Sequence, residues 1–139
     1  MSMEKTPILL LLILIFQRTA IAQQSAIIDI DRASNLIEIG ERIQENNKDS
    51  AYYCFNQAYK IYKTNENWLG CVKALQKISY TSGFHYELEK YRKTIYTIDS
   101  IFDKHTVYFD STYNGQSLRN YQLIDKTNYY NKIKIYWFS

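Results

Sequence analysis

The chain has 139 residues, 17 basic against 14 acidic, for a formal charge of +3, and only two cysteines. That length supports one small domain with one core. The charge is close to balance, so the basic excess alone does not point to a nucleic-acid partner.

Residues Ile8 to Phe16 form an unbroken apolar run, preceded by Lys5 and followed by Gln17-Arg18-Thr19 and Ala20-Ile21-Ala22 ahead of Gln23-Gln24. A weakly basic start, a short apolar stretch and a small-x-small exit are the parts of a secretory signal peptide, here spanning 1–22. A bilayer crossing needs about 20 apolar residues, roughly twice what the run supplies, so cleavage after Ala22 is expected over retention as an anchor. Cleavage removes Lys5, Arg18 and Glu4, leaving 15 basic against 13 acidic residues, a formal charge of +2. Export takes nucleic acid off the list of partners, and no stable membrane span is expected after the cut.

After Pro7 there is no proline, and only Gly40, Gly70, Gly83 and Gly115 interrupt the chain, which favours long helices. Ile28, Ala33, Leu36, Ile39, Gly40 and Ile43 recur at helical steps and predict a first helix. Asn46-Asn47 marks a turn, and Asp49-Ser50 offers capping oxygens for a second helix built on Ala51, Cys54, Phe55, Ala58, Ile61 and Tyr62. Asn65-Glu66-Asn67 breaks it. A third helix carries Leu69, Val72, Leu75 and Ile78 and ends near Ser82-Gly83; a fourth carries Leu88, Tyr91, Ile95, Ile98 and Phe102. Short turns make neighbouring helices antiparallel. On exposed faces, Glu38 with Arg42 and Glu89 with Lys93 are spaced as ion pairs. The helical domain is expected over 23–103. Residues 104–139 read as weakly structured or truncated, with a weak helix over 117–132 and a strand-like 132–138.

Self-comparison adds a repeat. Leu36-x-x-Ile39-Gly40 returns as Leu75-x-x-Ile78-Ser79 after 39 residues. Ala51-x-x-x-Phe55-x-x-Ala58 is echoed by Glu87-x-x-x-Tyr91-x-x-Thr94 after 36. At Leu36, Ile39, Gly40, Ala51, Phe55 and Ala58 the chain resembles a tetratricopeptide repeat, of the kind that precedes CHAT peptidase or sensor-kinase domains in exported bacterial signalling proteins. The resemblance covers residues 28–102 and implies an all-α fold, with antiparallel hairpins stacked as a short array of about two units. Glu87 and Thr94 stand where that family has alanines, the turn at Gly83 is shortened, and the helix-ending proline is missing.

The resemblance also implies a partner groove lined by first-helix residues: Ser34, Ile37, Glu41 and Gln44, then Lys73, Gln76 and Tyr80. Ile37 is expected off the apolar stripe and exposed. The partner is expected to be a protein or peptide. No catalytic, cofactor or metal site is read: His85 and His105 lack ligand spacing, and Glu38, Glu41 and Glu45 fall on one solvated stripe. Tyr80, Tyr86, Tyr91 and Tyr96, interleaved with Lys90, Arg92 and Lys93, divide between packing and recognition. Cys54 and Cys71 lie at different levels of their hairpin, which predicts two buried thiols rather than a disulfide. The first reading is thus a helical-repeat adaptor, periplasmic or secreted. With about two units and an apolar Ile-Tyr-Trp-Phe-Ser end, the chain fits the truncated front of a longer signalling protein. A small oligomeric four-helix bundle is the alternative. An exported enzyme with a site among residues 104–139 is the weaker one.

Overall fold

The computed structural model describes residues 5–82, 88–111 and 120. It is all-α: α1 (Lys5–Ile43), α2 (Lys48–Thr64), α3 (Trp68–Ser82), α4 (Leu88–Lys104) and the short α5 (Thr106–Asp110). The expected helix over 117–132, the strand-like end, Gly83, Gly115, His85, Tyr86 and Glu87 fall outside the described residues, Asn120 apart.

The turns explain why the first three helices start and stop where they do. Asn47, one residue before α2, accepts the Ser50 backbone N–H at 3.0 Å through its side chain. Asn67 repeats the device before α3, with the Gly70 N–H at 2.9 Å. The cap of α2 is therefore Asn47, not Asp49 or Ser50. An asparagine oxygen three residues back reaches the orphan N–H, while Asp49 lies inside the first turn and favours the positive end of the helix dipole. Between α2 and α3, Glu66 sits in the left-handed region at φ 52°.

Each helix packs chiefly on its neighbour in the chain: α1 on α2, α2 on α3, α3 on α4. Two contacts between non-consecutive helices fix the layers. Lys77 on α3 reaches Glu41 on α1 at 2.5 Å. Lys90 on α4 lies over the Tyr52 ring of α2, 3.6 Å from its centroid. These two lysine contacts link α1 to its parallel α3 as one layer and α2 to α4 as the other, while the close packing stays between chain neighbours.

Small residues set how closely the layers approach. Gly40 on α1 faces Phe55 on α2; a Cβ at position 40 would lie 2.8 Å from Phe55 Cζ. Gly70 on α3 receives the Tyr62 ring in the same way, with Cε1 2.7 Å from where a Cβ would be. Ala51, Phe55, Ala58 and Tyr62 are the buried face of α2. Central in the stack, α3 buries Cys71, Val72, Ala74, Leu75, Ile78 and Ser79, a wider arc than one neighbour requires. Burial recurs at some spacings of the repeat but not at its signature isoleucines, since Ile39 is exposed where Ile78 is buried. Ala33 and Val72, then Gly40 and Ser79, are buried 39 apart; Phe55 and Tyr91, Ala58 and Thr94, then Tyr62 and Ile98, are buried 36 apart. Thr94, 36 residues after Ala58, satisfies its hydroxyl within the helix by donating to the Lys90 carbonyl at 2.9 Å.

The buried stripe of α1 differs from the one that the large apolar residues suggest. Ile28 and Ile39 are exposed, while Ile37 is half-buried and packs on the core with Leu36 and Ile43. Small Ala33 and Gly40, seven residues apart, mark the line along which α2 comes closest. Ile37 is four residues from one and three from the other, which places it on that line.

Residues 8–25 are all exposed, and burial on α1 begins at Ala26. This helix runs unbroken through Ala22-Gln23 and carries the apolar N-terminal segment in line with the body. Length and composition suit a signal sequence or a membrane anchor.

Candidate functional site

The residues expected to line a groove sit where the α1–α3 layer meets solvent, and the structure brings several of them into direct relation. Ser34 is exposed, but its hydroxyl shares a 3.0 Å hydrogen bond with the Tyr62 hydroxyl. It helps close the α1–α2 hairpin and is not a free groove group. Ile37 belongs to the core margin, contrary to its expected exposure. Glu41 is engaged by Lys77 across the two helices. Gln44 and Gln76 are half-buried, and Gln44 Oε1 and Gln76 Nε2 lie buried without a hydrogen-bond partner among the described residues.

Lys73 and Tyr80 remain displayed. Both are exposed, Tyr80 by 76%, and their spacing of seven residues puts them on one face of α3 with Lys77 between them. On α1, Glu38, Glu41 and Arg42 border a shallow open depression. The face thus carries both signs of charge and a tyrosine, with the half-buried amides of Gln44 and Gln76 at its margin. It can offer charge-assisted hydrogen bonds and aromatic contact. Lys77, Glu38 and Arg42 were not among the groove residues expected. Lys77 was findable from its position three before Tyr80, but its bond to Glu41 depends on how α1 and α3 lie together.

Several other sequence candidates are engaged within the fold. Trp68 and His105 stack at 3.9 Å with their planes 16° apart, tying the start of α3 to the α4–α5 turn. His105 is therefore a wedge between elements, although Asp103 and Asp110 are near it in sequence. Cys71 is buried, Cys54 is half-buried rather than buried, and both are free thiols. Burial pushes the Cys71 thiol up to about 11, with Lys63 pulling the other way. A nucleophilic cysteine needs the opposite shift. Burial, and then the charge of Cys71, raise the pKa of Tyr59 on α2, which lies across from it. Glu89 pairs with Arg92 at 2.7 Å rather than with Lys93, and that hydrogen bond lowers its pKa. Arg42 turns its Nε to the Glu38 backbone carbonyl at 3.4 Å, not to the carboxylate. Tyr91 is buried, whereas Tyr96 is half-exposed and borders a second shallow depression with Arg92, Lys93 and Thr97. No group of three or more His, Cys, Asp or Glu side chains among the described residues could hold a metal ion.

Comparison with known proteins adds no relative: no family model, curated protein or solved structure matches the chain.

Proposed function

We propose that this chain is an exported helical-repeat scaffold that binds a protein or peptide partner on the face shared by α1 and α3, and that it is not an enzyme. The observation that carries the reading is the layering itself. The Glu41–Lys77 pair links α1 to α3, and Lys90 over Tyr52 links α2 to α4, which supports a two-layer arrangement of the hairpins. Hairpins stacked as in a repeat array present one continuous helical face. The recurrence of burial at 39 and 36 residues and the Gly40–Phe55 contact support a tetratricopeptide-like unit. Export rests on the apolar helix ahead of the body, whose residues 8–25 contribute nothing to the core.

Lys73→Glu and Tyr80→Ala test it better than a change at Glu41, because Glu41 also joins α1 to α3. The tagged chain is recovered from the cell envelope with whatever it holds. The double substitution should lower the co-recovered partner at least about tenfold, the size of a loss of one hot-spot contact, with helicity and melting temperature unchanged. Unchanged recovery would move the binding face elsewhere.

A further inference from the structure

We propose that the N-terminal segment stays on the protein as a membrane anchor, with its occupant the hydrocarbon of a lipid bilayer; the proposal rests on the export reading above. Three observations carry it.

The first is exposure on every side. Each residue from Ile8 to Phe16 is between 47% and 77% exposed, so apolar surface surrounds the helix. A second copy or a protein groove would cover one stripe and leave the rest in water, whereas lipid covers all of it. The second is the flanking charge. Lys5 precedes the run and Arg18 follows it, about 20 Å apart along the axis at 1.5 Å per residue. The expectation of cleavage rests on a run about half the length of an ordinary span. An arginine near a helix end reaches outward to the headgroups and a bilayer thins locally around a short span, and together these make up the shortfall.

The third is continuity through the cut site. From Ile8 to Ile39 there is no glycine or proline, and the helix passes unbroken through Ala20-Ile21-Ala22-Gln23. Thr19 adds a bond from its hydroxyl to the Phe16 carbonyl at 2.8 Å. A peptidase takes extended backbone, so cutting after Ala22 requires opening the middle of a helix, which resists opening more than its frayed ends do. Residues 18–26 then form a helical stalk of about 12 Å between the bilayer and the first half-buried residue, Ala26.

The test uses the full chain in a Gram-negative host. Membranes are washed with alkaline carbonate, the N-terminal peptide is read by mass spectrometry, and spheroplasts are treated with protease. The expected result is a carbonate-resistant protein that keeps residues 6–18, with its body digested from outside. Thr19→Pro, which disturbs none of the core, should shift local unwinding by about a hundredfold and release a soluble form beginning at Gln23. A wild-type chain recovered soluble and beginning at Gln23, with its body outside, overturns the anchor and leaves the export reading standing. A body protected from protease overturns the export reading on which the anchor rests.

Discussion

Replacing Gly40 by alanine tests the helix packing at its closest point. In an isolated helix the change is favourable by about 0.5–1 kcal/mol, because glycine has more backbone freedom to lose. Here the added methyl would lie 2.8 Å from Phe55 Cζ and 2.9 Å from Cδ1, far inside contact distance. The Phe55 ring is fully buried, so it cannot swing into solvent. Overpacking of this kind costs about 1–3 kcal/mol, and the net expectation is a loss of about 1–2 kcal/mol. For a domain of this size that lowers the melting temperature by about 4–15 °C. Thermal and urea melts of Gly40→Ala, Phe55→Leu and the double variant separate the clash from the loss of the ring. Leucine makes room for the methyl, so the two changes should couple favourably by about 1 kcal/mol or more. A Gly40→Ala protein that melts higher than wild type, or strictly additive changes, would show that Phe55 does not fill the notch at Gly40.

Three other consequences are open to direct measurement. Asn47→Ala and Asn67→Ala each remove a side-chain cap and should each lower stability by about 1 kcal/mol in a urea melt; no change at either position would mean that its helix starts elsewhere. Glu66→Gly should raise stability by about 0.5–1 kcal/mol, because only glycine enters the left-handed region without cost; a loss would contradict that backbone conformation. At pH 8, a thiol whose pKa lies near 11 is about one part in a thousand thiolate. Iodoacetamide should therefore modify Cys54 well before Cys71, read peptide by peptide. Folding keeps a proton on Cys71 that the unfolded chain loses above the ordinary cysteine value of about 8.5. Stability should thus fall as pH rises from there to about 11, and Cys71→Ser should flatten that slope. Equal alkylation rates, or a slope unchanged by the substitution, would refute the burial of Cys71.

Much of this fold was legible in the sequence, for identifiable reasons. Four helices follow from apolar spacing and from the near absence of breakers. The Ala51, Phe55 and Ala58 face was found because small and aromatic residues alternate at helical steps on a short element whose ends are marked by asparagines. Assignment of the α1 face failed at Ile28, Ile37 and Ile39. The helix carries more isoleucines than its neighbours can cover, and the notch at Gly40, not the number of large residues, decides which of them turn inward. Groove candidates fared unevenly for a related reason. Lys73 and Tyr80 are displayed as helical spacing alone requires. The engagement of Ser34 by Tyr62 and of Glu41 by Lys77 depends on which helices lie side by side, which no single segment encodes. The three-residue difference between the two shifts of the repeat falls at the turn near Gly83, which lies outside the described residues.

The central claim, a binding face on the α1–α3 layer of an exported body, is tested most directly by photo-crosslinking in intact cells. A photoreactive residue is placed at position 73 or 80 on α3 and, as a control, at position 53 on α2, where Tyr53 is exposed in the opposite layer. The expected result is a discrete adduct of the same mass from both α3 positions and none from position 53, formed in the envelope fraction. Equal adducts from both layers, or adducts formed with cytoplasmic proteins, would contradict it.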